Sequence, residues 1–139
     1  VGVELADTSA WTNRVKAASV KADFDARLAN GEVATCEIVA FELLWTTQDH
    51  ADFVAARGEL DALRQLRIGS SVWLRALNVF ERFAELGPLH HRQVTIPDLL
   101  IAATAELAEV PVLHYDRDFE LIAEITGQPM RAIAPLGSL

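Results

Sequence analysis

The chain has a single cysteine, Cys36, among its 139 residues. No intrachain disulfide can form, and zinc held by a cluster of thiolates is excluded. A reducing cytoplasm is the expected location. Long hydrophobic runs are also missing. The tract from Val33 to Trp45 is broken by Thr35, Glu37 and Glu42, so no membrane span is expected. Glu4 and Asp7 interrupt the only early apolar stretch, which argues against a secretory leader. There is no linker, low-complexity tract or internal repeat, and one domain over residues 1–139 is expected. Lysine is scarce: the positive charge is ten arginines plus Lys16 and Lys21. It is outweighed, and the formal net charge of −8 argues against a general polyanion-binding surface. Arginine suits phosphate through its planar fork, but a GC-rich coding sequence accounts for the bias equally well.

What the chain does have is 51% apolar residues, enough for helical layers around a sheet. Val1–Ala6 reads as a first strand. Two short helices near 9–16 and 19–30 follow, the second stopped by Gly31. Glu32–Cys36 is a second strand, and Glu37 to Thr47 a strong helix. Asp49 or His50 opens another helix. Gln65 to Gly69 holds a turn or short strand. Ser70 or Ser71 is expected to cap a long helix ended by Gly87-Pro88. Thr95-Ile96-Pro97-Asp98 opens a helix running to about Glu109. Val110–His114 is a buried-type strand, Arg117–Thr126 a helix and Met130–Ala134 a last strand. Strands alternating with helices imply a parallel sheet with helices on both faces.

The acids fall at corresponding places in these units. Asp7 ends the first strand, where open α/β sheets place ligands, although Asp7 or Ser9 also suits an ordinary helix cap. Glu42 sits within an apolar stripe of Ile38, Phe41 and Trp45, costly unless the acid is paired or reaches water at the stripe's edge. Glu37 suits the helix dipole. Asp98 completes a Thr95-x-x-Asp98 capping pattern, yet the helix it opens is apolar nearly all round, so its N-terminus should face a cleft. Asp116 and Asp118 follow the strand that ends at His114, with Asp116 also a candidate N-cap. Converging carboxylates repel one another, so a cation is their natural partner. Oxygen-only ligands point to Mg²⁺ or Mn²⁺ over Zn²⁺. Such a cluster also accounts for part of the negative charge, so the net charge does not exclude a nuclease.

Three other acid-bearing architectures fail on specific residues. A phosphorelay receiver needs a lysine after a late strand, and none follows Lys21. A metal-dependent adhesion module wants Asp-x-Ser-x-Ser, and Trp11 stands at the second serine. A haloacid-type phosphatase wants Asp-x-Asp, and Ser9 stands at the second acid.

Four segments carry a resemblance: LADTSAW at 5–11, EIVAFELLW at 37–45, IPDLLIAATAE at 96–106 and VLHYDRDFELIA at 112–123. In this order and spacing the chain resembles PIN-domain proteins, and more narrowly the VapC toxins of bacterial toxin–antitoxin pairs. The resemblance implies a three-layer α/β/α fold with a central parallel sheet of four to five strands, usually as a homodimer. It implies Mg²⁺-dependent endoribonuclease activity on structured RNA such as tRNA or rRNA, and inhibition by a VapB-type antitoxin. Asp7, Glu42, Asp98 and Asp116 match the family's acidic quartet, with Asp118 an addition or substitute for Asp116. His114 stands where the family often has Thr. In the implied chemistry, Asp7, Asp98 and Asp116 or Asp118 hold the metal, and Glu42 orients water or takes its proton. Ser9 is a candidate donor to those carboxylates. Arg14, Lys16, Arg92 and Arg117 are candidates for RNA backbone contact, set against ordinary surface charge. Trp11, Trp45 and Trp73 are candidates to line an antitoxin groove, set against core packing. A non-catalytic PIN-like protein acting only through partner binding is the alternative.

Overall fold

The computed structural model describes residues 2–139; Val1, included in the expected first strand, lies outside the described residues. Five short strands, β1 (Glu4–Ala6), β2 (Val33–Thr35), β3 (Arg64–Gln65), β4 (Val112–His114) and β5 (Met130–Ala132), form one sheet. Every pairing is parallel, in the order β3-β2-β1-β4-β5. The helices are α1 (Thr8–Asn13), α2 (Ala18–Ala29), α3 (Glu37–Trp45), α4 (His50–Asp61), α5 (Ser70–Glu85), α6 (Ile96–Leu107) and α7 (Arg117–Thr126).

Strands β1, β2 and β4 are buried at every position. Side chains on both sheet faces are covered, which is why these strands read as near-continuous apolar runs. On one face Ala6, Val33 and Leu113 pack with Ala10 of α1 and Phe24 of α2. On the other, Leu5, Ala34 and Val112 pack with α5, α6 and α7 through Val79, Phe83, Ile101, Phe119 and Ile122. The α6 body Leu99–Ala105 is buried at every position, as its all-round apolar pattern predicts.

Most ends follow local chemistry. Gly31 and Gly127 adopt φ of +70° and +71° after α2 and α7, conformations that glycine takes without a Cβ penalty. Asp49, Thr95 and Asp116 cap α4, α6 and α7 through their side chains. Two expectations are corrected. The cap of α5 is extended Gly69, not Ser70 or Ser71, and Ser70 is already helical. The first helix stops at Asn13 and continues as a 3-10 turn over Arg14–Lys16.

The topology places one crevice. From β1 the chain moves outward to β2 and β3, then returns to β4 on the other side of β1. Ligands in open α/β sheets bind outside the strand C-termini at such a reversal. Here the reversal lies between the ends of β1 and β4. Asp7 follows the first, and Asp116 and Asp118 stand just beyond the second. Helix α3 touches both α1 and α6 above that point.

Candidate active site

Asp7 is the N-cap of α1 and is nearly fully buried. Its Oδ2 accepts from Ser9 N at 2.9 Å, and its own N–H donates to Leu113 O at 2.9 Å. The capping bond and the β4 contact fix the carboxylate at the seam between strands. Burial pushes its pKa above the ordinary 3.8; hydrogen bonds from Ser9 oppose this, and the Glu42 charge adds to it. An acid used only as a cap would sit in water. This one has been moved out of it.

Glu42 is half-buried on α3 and does not simply reach for solvent. Thr8 Oγ1 donates to its Oε1 at 2.8 Å. Glu37, in the first turn of the same helix, serves the dipole and also accepts from Ile68 N at 3.1 Å.

Asp98 stands in the first turn of α6. Thr95 caps that helix, its Oγ1 accepting from Asp98 N at 3.2 Å. The Asp98 carboxyl is pushed up to about 8, first by burial, then by the charges of Asp7 and Asp116 and a hydrogen bond with Asp118. Asp116 caps α7, its Oδ1 accepting from Asp118 N at 2.8 Å. Asp98, Asp116 and Asp118 each bring a carboxylate oxygen within 4.8 Å of the other two. Both Asp116 and Asp118 therefore belong to the cluster, where the sequence left the two as alternatives. Asp7 is not in that tightest trio, but its charge reaches both Asp98 and Glu42.

Ser9 lies between the two strand ends. Its N–H donates to Asp7 Oδ2, and its Oγ accepts from Tyr115 N at 2.9 Å. Among the candidate RNA contacts, Lys16, Arg92 and Arg117 are exposed, and Arg117 stands between Asp116 and Asp118. Arg14 is placed differently. Its guanidinium carbon lies 5.1 Å from the Trp11 ring centre and 5.5 Å from that of Phe24, its Nη1 donates to Trp11 O, and its Nε is buried. Arg14 is half-buried, with its guanidinium within cation–π reach of both rings.

The donor set is oxygen alone, tightly grouped, with the pKa of Asp98 raised by burial first and by like charge second. A hard divalent cation fits such a set: it supplies the positive charge the cluster lacks.

The PIN-domain family profile matches residues 5–125. Ribonuclease VapC18 of Mycobacterium tuberculosis is 38% identical over 133 residues, 96% of either chain. The chain is a PIN-domain protein of the VapC family. Ribonuclease VapC51 of the same organism is 33% identical, over 97% of this chain and 96% of its own length. Among solved structures, DNA-bound VapBC from Salmonella typhimurium superposes with a TM-score of 0.74 at 17% identity, covering 96% of this chain and all of that one. That likeness supports the fold.

Besides Glu42, α3 carries Phe41 and Trp45, 76% and 89% exposed. With Leu44, Phe53, Arg57 and Arg67 they line a groove of about 510 Å³ between α3 and α4. Of the three tryptophans only Trp45 belongs to it. Trp11 packs edge-on against Phe24 with ring centres 4.8 Å apart, so it is a core residue. Trp73 is half exposed on α5, over a small hollow shared with Leu77 and Ile96.

Proposed function

We propose that this protein is a metal-dependent endoribonuclease, the toxin of a VapBC pair, acting in the cytoplasm on structured RNA such as tRNA or rRNA. The observation that carries the reading is the convergence of Asp98, Asp116 and Asp118 within 4.8 Å, beside Asp7 at the sheet's reversal. The names of the relatives, all ribonucleases, support it.

Asp98, Asp116 and Asp118, together with Asp7, would hold Mg²⁺ or Mn²⁺. When bound, the cation polarises the scissile phosphate and lowers the pKa of an attacking water. Glu42, held by Thr8, orients that water and accepts its proton. Ser9 keeps Asp7 and residue 115 in register. Attack in line on phosphorus leaves a 3′-hydroxyl and a 5′-phosphate. Lys16, Arg92 and Arg117, which are exposed, and the half-buried Arg14 are the candidates to meet RNA backbone. A cluster of acids needs such neighbours, since it repels RNA until the cation is in place.

The partner is a VapB-type antitoxin. Its tail docks on Phe41 and Trp45 in the α3–α4 groove and extends a basic side chain along α3 toward the acids. Two copies of the chain form the working homodimer.

Induced expression without an antitoxin tests the whole reading. Wild type arrests growth, EDTA stops RNA cleavage by the purified protein, and Asp7→Asn removes both effects. Equal toxicity of the two proteins at matched levels overturns the catalytic reading and leaves a partner-binding protein.

A further inference from the structure

We infer that His114 is a positioning residue for the acidic site: its Nδ1 holds the backbone on which Asp116 and Asp118 stand. The inference rests on reading those two acids as metal ligands.

His114 is the last residue of β4, and α7 begins at Arg117. Two residues, Tyr115 and Asp116, thus turn the chain from the sheet into α7. His114 O accepts from Ile133 N at 2.9 Å, so the start of the turn is tied to the end of β5. The next two amides are each held by a side chain. Tyr115 N donates to Ser9 Oγ at 2.9 Å. Asp116 N donates to His114 Nδ1 at 3.2 Å. Asp116 Oδ1 then accepts from Asp118 N at 2.8 Å. The bonds run from the sheet to the Asp116 carboxylate and, through it, to the backbone amide of Asp118.

The imidazole is costly where it is. It is completely buried, and a buried polar ring is unfavourable unless its nitrogens are satisfied. Its Nε2 lies 3.4 Å from Glu120 Oε1 but makes no hydrogen bond. The one full bond the ring makes is to Asp116 N–H. Accepting there requires a lone pair on Nδ1, so the proton of the neutral ring sits on Nε2, facing Glu120. The ring cannot swing away: it lies against Phe119, ring centres 5.3 Å apart. A plain core filler at this position needs no acceptor. A group that aims a metal-binding loop does, and groups behind metal ligands matter to affinity about as much as some ligands do.

Three variants and one control separate these readings, using the purified full chain and Mn²⁺ without RNA. The metal concentration giving half of the metal-induced rise in melting temperature is the readout. His114→Leu keeps the bulk and removes the acceptor, and is expected to raise that concentration about 10- to 100-fold. His114→Asn, whose Oδ1 can occupy the place of Nδ1, should stay within a few-fold of wild type. His114→Gln, whose amide reaches the place of Nε2, should resemble His114→Leu. Should His114→Leu fail to fold, the Asn and Gln variants decide alone. Equal half-saturation in His114→Leu and wild type, or in the Asn and Gln variants, overturns the positioning role. Asp116→Asn is the control: a wild-type metal response there overturns the ligand reading, and the inference with it. A weakened response there with an unchanged one in His114→Leu overturns the inference alone.

Discussion

Thr8 and Glu42, 34 positions apart, are joined by a 2.8 Å hydrogen bond from the Thr8 hydroxyl to Glu42 Oε1. The bond links the N-terminus of α1 to the middle of α3, and it fixes the one acid outside the Asp7, Asp98, Asp116 and Asp118 group. Thr8→Val removes the donor and keeps the shape. If Glu42 takes a proton from water, its oxygen must be aimed, so kcat should fall roughly 10-fold with KM nearly unchanged. Full removal of the base by Glu42→Gln should cost about 10²- to 10⁴-fold. Metal-induced stabilisation should survive in both, since neither change touches the trio that holds the cation. Steady-state cleavage of a defined RNA checks the split.

Not every buried acid belongs to the site. Glu4 of β1 is 3% exposed. It takes two bonds from Arg131, at 2.8 and 2.9 Å, and lies 2.9 Å from Arg27 Nη1. This fork-to-fork pair on the α2 side of the sheet links β1 to β5. Removing the acid takes from Arg131 its bidentate partner and from Arg27 its shortest ion pair, leaving them only the longer contacts to Asp23 and Glu32. Glu4→Ala should therefore cost about 3 kcal/mol of stability, with the metal-induced shift in melting temperature intact. Chemical denaturation with and without Mn²⁺ tests it, and a lost metal response would put Glu4 in the site's supporting structure.

The contrast between Glu4 and Asp7 shows where sequence reading reaches and where it stops. The helices are legible from local signals: apolar spacing in Val20, Phe24 and Leu28, the caps Asp49 and Asp116, the stop at Gly31; the order of strands across the sheet is not. Asp7, Asp98 and Asp116 were legible because each sits at a boundary between a strand or loop and a helix. Glu4 sits inside a strand, and its partner Arg131 is 127 positions away. No local pattern announces such a pair. Glu42 stands out in the sequence as an acid in an apolar stripe, but its bond to Thr8, 34 positions away, is hidden for the same reason. A lone arginine looks the same in sequence whether it meets solvent or lies, as Arg14 does, 5.1 Å from the Trp11 ring centre and 5.5 Å from that of Phe24. His114 was noticed only as a departure; its burial and its bond to Asp116 needed the fold.

The raised pKa of Asp98, about 8 against an ordinary 3.8, makes metal-free stability depend on pH. Between those values the folded chain keeps a proton that the unfolded chain has released. Stability then falls as pH rises through that window. Asp7, also raised, acts in the same direction. His114 is lowered from 6.5 by burial, which opposes the trend only below that pH. In EDTA, wild type should melt higher at pH 6.5 than at pH 8, and Asp98→Asn should flatten the difference. A divalent cation must displace that proton, so apparent metal affinity should rise over the same interval. A melting temperature that is flat or rising from pH 6.5 to 8 would contradict the raised value.

Asp98 itself decides between a metal site and a helix start. Its place in the first turn of α6, with its N–H on Thr95 Oγ1, is what an ordinary helix N-terminus looks like. Were that its whole role, Asp98→Ala would cost roughly 1 kcal/mol or less and Mg²⁺ would matter to neither protein. Its carboxyl, however, meets Asp118 and feels the charges of Asp7 and Asp116. Removing one of four clustered charges relieves repulsion. Asp98→Asn should therefore leave metal-free stability at pH 8 unchanged or higher. Wild type should gain melting temperature with Mg²⁺ or Mn²⁺, because a ligand that binds only the folded state stabilises it by RT ln(1 + [L]/Kd). The variant should lose most of that gain, and RNA cleavage with it. Thermal melts of both proteins, with and without metal, are sufficient. An identical metal-induced shift in the two would remove Asp98 from the site and leave it a helix-start residue.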